Sequence, residues 1–456
     1  MIDARAPART RRSHGWFGLV LFGYLLGVVA LHRDFSHLHL TIAGVPLYVG
    51  ELAIAILLTA SILAIARERT VPFTIDLPVL GVLVYLVAGA AFLAVGLSRG
   101  YGLAALRDAS LVYYSLFFLF ALAYLSWGGT TETVLRVLAV GAVLGSVVAV
   151  ASVVIRPALT YGHGATSYQA LNAWVGVLVI AHDPAARDGR GRRLGMVLAI
   201  GLCLATVFLS GYRTMLAVIV VSLAVVWLGA LHRRGEGRPG ARRAAATVTA
   251  AAAALALATA LLWLGLRNDS APFVIHGPTS VHGVMRTVAT RWAMLSVALD
   301  EESSLAVEDS ADFRREAWTK AVARIRAAPL VGIGYGPPAA LFPDTDCEVA
   351  TSATSNCGNA HNTFLTVAMR MGLPVFFFFL GLNALIVGRL LRRLWRRETA
   401  VPAARQAWLC LSVLAGFAVY GMTSLYLESP YLASVYWVVL GLMAHLARPS
   451  FQRQVT

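Results

Sequence analysis

Apolar runs about as long as a bilayer is thick recur along the chain, near residues 15–31, 46–66, 77–97, 110–127, 134–155, 170–182, 194–210, 213–231 and 245–266. A long polar excursion follows, and then runs near 373–391, 407–427 and 431–447. Runs of about twenty residues match the roughly 30 Å hydrocarbon core of a membrane. Backbone in lipid must satisfy its own hydrogen bonds, and these runs are too long for barrel strands, so they are predicted to be helices. The pattern predicts an all-α, polytopic membrane protein with about twelve transmembrane helices. The run at 170–182 is the shortest.

Composition agrees with the pattern: 58% of the 456 residues are hydrophobic and only 13% are charged. A soluble globule needs about twice that charge. The formal charge of +15 does not point to nucleic acid, because the arginines fall in short clusters between apolar runs. Such clusters are topology signals, retained on the cytoplasmic side where they also meet anionic headgroups. Arg5, Arg9, Arg11 and Arg12 precede the first run without a small-residue cleavage site, so that run reads as a retained helix rather than a signal peptide.

Sidedness follows from the same arginines. With the N-terminus inside, the inward loops hold the clusters at 67–69, 187–193, 233–243 and 389–397, and the tail carries Arg448 and Arg453. The near-neutral 128–133 is the exception, although Arg136 follows it closely. The loops at 32–45, 98–109, 156–169 and 267–372 then lie outside, together with the turn at Ser210–Arg213. Three regions result: an N-terminal transmembrane bundle of about nine helices over 1–266, an extracytoplasmic loop expected to be catalytic over 267–372, and the C-terminal transmembrane helices with a cytoplasmic tail over 373–456.

An excursion of that length is too long for an idle connection. Within it, Ala317, Ala321, Val322 and Ile325 recur at helical spacing between Arg314 and Arg326, which predicts an amphipathic helix on the outer interface. Pro329 ends it, and the glycines of GIGYGPP allow a tight irregular backbone. A second short helix is predicted from near Asn359 to a break at Gly372–Pro374.

The polar chemistry concentrates on that outer side. His361, in AHNTFL, offers an imidazole suited to taking a proton near neutral pH, with Asn362 beside it as a supporting residue. A histidine at a helix start is more often a structural or capping residue, and its company of a glycine-rich turn, two same-side arginines and the kink at Gly372 is what singles it out. Arg213, next to Tyr212 at the mouth of a span, reads either as a snorkelling side chain or as an anion ligand. Arg314 and Arg315 decorate the amphipathic helix, and Arg291 is a further donor. Guanidinium groups grip phosphate in a bidentate manner and stay charged at a membrane surface.

Cys203 and Cys410 fall in apolar runs as small hydrophobes, whereas Cys347 and Cys357 flank the loop before His361 and are a disulfide candidate in an oxidising exterior. Asp344 and Asp346 form a DTD triplet, too short a signal for a metal site. No phosphate-binding loop, zinc spacing or GxSxG is present in the sequence.

In this order, SGYRTMLA at a span mouth, Arg314-x-x-x-Trp318 followed by Pro329 and GIGYG, and AHNTFL with Gly372 beyond it resemble the O-antigen ligase and O-antigen polymerase superfamily of bacterial membrane glycosyltransferases. The resemblance extends over roughly 205–390. It implies a GT-C-like helical architecture in the inner membrane and a glycan donor carried on undecaprenyl pyrophosphate. The acceptor would be a glycan, lipid or protein hydroxyl, and no metal or cofactor is implied. His361 would match the catalytic histidine, Arg213 the first pyrophosphate arginine, and Arg314 the second, with Arg291 nearby as an alternative. Direct displacement at the anomeric carbon would invert it. A polymerase of lipid-linked repeats is an alternative within the superfamily. A flippase is the rival outside it, although that reading asks for polar, broken helices near the midplane.

Overall fold

A computed structural model of the chain describes residues 10–42, 45–69, 71–155, 166–183, 190–210, 212, 214–234, 305–336 and 360–449. The helices among them are α1 (Thr10–Ser36), α2 (Val49–Glu68), α3 (Leu77–Ser98), α4 (Gly102–Asp108), α5 (Ser110–Tyr113), α6 (Leu116–Ser126) and α7 (Thr131–Ile155). They continue with α8 (Ser167–His182), α9 (Arg190–Leu209), α10 (Thr214–Arg234), α11 (Leu305–Ala327), α12 (Thr363–Trp395), α13 (Val401–Gly421) and α14 (Pro430–Leu446). The one strand pair among the described residues is an antiparallel hairpin, β1 (His39–Ile42) and β2 (Val45–Tyr48), with His39 opposite Tyr48 and Ile42 opposite Val45. It was not expected, and it moves the start of the second apolar helix from 46 to Val49.

The chain is an all-α polytopic membrane protein. Every apolar run in the sequence coincides with a described helix except that at 245–266, which lies outside the described residues. Among those residues eight helices are long and apolar enough to cross a membrane, or nine if α4–α5 and α6, bent by 42°, form one span. The expected count of about twelve is not confirmed among the described residues, which exclude the run at 245–266 and in which two helices fall short of clear spanning length. At 16 residues α8 is too short, and at 17 residues α14 barely approaches the hydrocarbon thickness. Both are instead enclosed by protein: α14 is buried along nearly its whole length, packed by α1, α6, α8, α12 and α13. Outward-facing residues such as Ile62 and Leu63 on α2, Val87 on α3, Leu198 on α9 and Val220 on α10 form the apolar exterior that a lipid environment requires.

Side-chain contacts sort the connections into two ends. At one end Arg107 reaches the Tyr48 hydroxyl at 3.4 Å, Gly336 N–H reaches Asp108 at 2.7 Å, and the Tyr420 hydroxyl reaches Ser167 at 2.8 Å. At the other, Arg448 pairs with Asp76 at 3.2 Å, His232 meets the Leu394 carbonyl at 3.0 Å, and Arg136 faces Asp183 at 3.6 Å. This is the same partition that arginine counting produced, reached through independent contacts.

The element that positions the site is the break in α12. Gly372 adopts φ 79°, ψ 167° inside that helix, a region essentially reserved for glycine. Pro374 has no N–H to offer the Arg370 carbonyl, and the break removes the Leu373 N–H from the Met369 carbonyl. Both carbonyls are taken up by the glycine-rich turn: Ile333 N–H donates to Met369 and Gly334 N–H to Arg370, each at 2.9 Å, while Leu373 N–H donates to Pro329 at 2.7 Å. Beyond the break, residues 373–395 at 1.5 Å rise extend about 34 Å, a full crossing. Before it, Thr363–Met371 is the short helix that was expected.

Gly372→Ala is expected to destabilise the protein by at least about 1–3 kcal/mol, because a Cβ there would lie 2.4 Å from the Leu330 carbonyl oxygen. Gly381→Ala, in the same helix with nothing within 4 Å, is the control. Thermal unfolding in detergent should lower the midpoint of the first variant and leave or raise that of the second.

Candidate active site

The helix α11 lies over the short first segment of α12. Its Ala317 and Ala321 are buried against Ala360 and Met369, with Trp318, Ile325, Ile333 and Leu365 around them. The apolar stripe expected to rest on the outer interface thus rests on protein, and it carries Arg314 to His361.

His361 occupies a bend, φ 47°, a left-handed conformation that non-glycine residues adopt only when their surroundings hold them there. Ala360 is clamped under α11, and Asn362 is the N-cap of α12, accepting from Leu365 N–H at 3.0 Å. The Asn362 amide also donates to the Met422 carbonyl at 2.9 Å. Asn362 therefore fixes the backbone beside the imidazole. Burial first, and then the nearby positive charge of Arg314, hold the His361 imidazole below its usual pKa. Both effects favour the neutral form, which alone accepts a proton.

Arg314 in turn donates to the Tyr212 hydroxyl at 3.3 Å, and that hydroxyl lies 3.2 Å from Ser424 Oγ. Thr214 Oγ1 lies 2.9 Å from Thr423 Oγ1. The Thr363 hydroxyl donates to the Ser424 carbonyl at 2.9 Å and accepts from Tyr426 N–H at 3.1 Å. One connection, 422–426, hence ties together the α9–α10 turn and the start of α12. Of the sequence-selected residues, His361, Asn362, Arg314 and Tyr212 come to one place. Arg213, Arg291, Cys347 and Cys357, with Asp344 and Asp346, lie outside the described residues, although Tyr212 and Thr214 on either side of Arg213 are both part of the cluster. Cys203 and Cys410 are buried and unpaired with each other, as expected of small hydrophobes. Among the described residues no group of three or more His, Cys, Asp or Glu is arranged to hold a metal ion.

The structure adds residues that motif reading passed over. Arg370, only 4% exposed, is ion-paired with Asp108 and, at 3.4 Å, with Glu428. Asp108 also accepts from Gly336 N–H at 2.7 Å, at the end of the GIGYG turn. The sequence did carry a signal, because an arginine inside the apolar run TVAMRMGL demands a buried partner. The partners, far away in the chain, carried none. The consequence is electrostatic: Asp108 and Glu428 are committed to Arg370, and Arg314 acts as a positive neighbour of His361.

Residues 197–380 match the family model described as O-antigen ligase, which supports the O-antigen ligase and polymerase superfamily for this chain. A comparison with curated proteins finds no match. The match begins in α9 and ends in α12, so it contains Tyr212, Arg314, the glycine-rich turn, His361 and Arg370. It stops short of Asp108 and the 422–428 connection.

Removing one member of the buried triad leaves the others as uncompensated charges. Arg370→Gln is expected to cost about 3–5 kcal/mol, read as a lowered unfolding midpoint. Arg370→Lys should recover only part of it, since an ammonium cannot serve two carboxylates in the guanidinium's planar geometry.

Proposed function

We propose, on the match of residues 197–380 to the O-antigen ligase family model, that the chain is a membrane glycosyltransferase moving a glycan from undecaprenyl pyrophosphate to an acceptor hydroxyl. The transfer takes place at the extracytoplasmic end of the bundle, the end that carries His361, in the inner membrane. The observation that carries the reading is a half-buried imidazole beside a guanidinium: His361 held below its usual pKa by burial and by Arg314.

An acceptor hydroxyl is a poor nucleophile at neutral pH. His361 takes its proton as the hydroxyl oxygen bonds to the anomeric carbon. The bond from that carbon to the phosphate oxygen breaks, and the electron pair leaves with the lipid pyrophosphate. Attack opposite the leaving group inverts the anomeric centre. Negative charge grows on the leaving group, and fixed guanidinium groups, Arg314 and Arg213 with Arg291 as a further donor, stabilise it as a divalent metal would elsewhere. Tyr212 holds Arg314 in place, and Asn362 holds His361. Ligase and polymerase differ only in the acceptor, and the same chemistry serves both.

His361→Ala is expected to abolish transfer in proteoliposomes while lipid-linked donor still binds; turnover at the wild-type rate would remove the proposed base. Labelled lipid translocated without a new glycosidic bond would favour the flippase reading. Activity should persist in EDTA.

The pH dependence gives a separate test. Neutral imidazole is required, so kcat/KM should fall only as pH drops through a value below the ordinary 6.5 of histidine. Arg314→Gln removes a positive neighbour and should move that acid limb to higher pH, besides lowering the rate. A limb that stays in place would mean that the two groups do not communicate.

A further inference from the structure

At the end of the bundle opposite His361, the start of α3 and the C-terminal turns of α12 and α14 enclose a cavity of about 570 Å³, in the size range of small-ligand sites. Five arginines line it, Arg389, Arg392, Arg393, Arg396 and Arg448, against two carboxylates, Asp76 and Glu398.

The arginines divide by what they are bonded to. Arg393 is buried and donates to the carbonyls of Leu446 at 2.8 Å, of Arg448, and of Glu398 at 3.3 Å, closing off the end of α14. Arg448 binds Asp76 through two contacts of 3.2 and 3.4 Å and the Thr74 carbonyl at 3.1 Å. These two build the walls. The other three form the rim. Arg389 reaches Asp76 only at 3.9 Å, on a carboxylate that already holds Arg448 and caps Val79 N–H. Arg396 faces Glu398 at 3.8 Å, both largely exposed. Arg392 is exposed and has no acidic partner among the described residues. Positive charge is thus in excess over its counter-charges, in a concave site, on rigid helix ends.

The floor is apolar. Pro78, Ile386 and Ala444 line it, and Leu77 and Leu80 of α3 are exposed on the outside of the bundle beside it. A basic rim continuous with an apolar wall matches an amphiphile better than a dissolved ion, since a soluble phosphate gains nothing from the wall.

We propose that this cavity binds the phosphate of an anionic phospholipid, with the rim guanidinium groups on the phosphate oxygens and the start of an acyl chain against α3. It does not depend on the chemistry assigned to His361.

The test uses the full chain, delipidated in neutral detergent and titrated with phosphatidylglycerol, phosphatidylcholine or inorganic phosphate. Retained adducts are read by native mass spectrometry, and the unfolding midpoint is read alongside. Phosphatidylglycerol should be retained and raise the midpoint, whereas the other two should do neither at equal phosphate concentration. In Arg389→Gln/Arg392→Gln/Arg396→Gln the affinity for phosphatidylglycerol should fall about a hundredfold, and in Arg392→Gln alone about fivefold. The single variant, at an exposed position, keeps the test decisive if the triple variant fails to fold. Equal retention of both lipids, or unchanged affinity in the variants, overturns the proposal. An equal response to inorganic phosphate overturns it in favour of a soluble anion.

Discussion

A helix that breaks inside a protein in lipid must find new donors for the carbonyls it releases, and the end of this molecule that carries His361 is built around one such break. At Gly372 the backbone leaves the helix, Pro374 can supply no N–H, and the carbonyls of Met369 and Arg370 turn to Ile333 and Gly334. Unpaired, each would cost the desolvation of a buried polar group. Gly332 and Gly372 are where backbone meets backbone: a Cβ on Gly332 would lie 2.5 Å from the Arg370 carbonyl. The turn after α11 is in this way locked to the helix that begins beside His361, and the position of Arg314 relative to the imidazole follows from that lock.

Two further ties come from the chain after α13. The connection 422–428 supplies carbonyls, hydroxyls and a carboxylate to the α9–α10 turn, to the cap of α12 and to Arg370. A short loop thereby holds elements more than a hundred residues apart, using groups that would otherwise be orphaned at the ends of helices. The side chains proposed to meet a substrate, His361 and Arg314, rest on a layer whose own polar groups are largely spent on one another. Such a layer gives an active site its rigidity.

The two ends of the bundle use arginine differently. At the His361 end the buried guanidinium of Arg370 is paired with Asp108 and Glu428, and Arg314 is the positive neighbour of the imidazole. At the opposite end the arginines outnumber the acids around an open cavity. The first arrangement leaves one cation facing the imidazole, as the proposed transfer requires, whereas the second suits charge that is always present on a membrane surface.

Much of this was legible in the sequence. Apolar runs of spanning length determined the helical membrane architecture, because lipid leaves the backbone no alternative. Alternating arginine clusters anticipated which connections share an end. The order of SGYR, Arg314, GIGYG and His361 marked the candidate site, and the Gly372–Pro374 pair marked the break. Tertiary structure alone decided the rest. Whether α8 and α14 face lipid or protein depends on their neighbours, and both are enclosed. The stripe Ala317–Ala321 reads the same against a membrane surface as against Ala360 and Met369. Asp108, Arg370 and Glu428 are single charges in three distant segments, and an ion pair has no period or motif to announce it. Local pattern records what a segment must bury or expose, but which partner it meets is settled only when the whole chain competes for the same contacts.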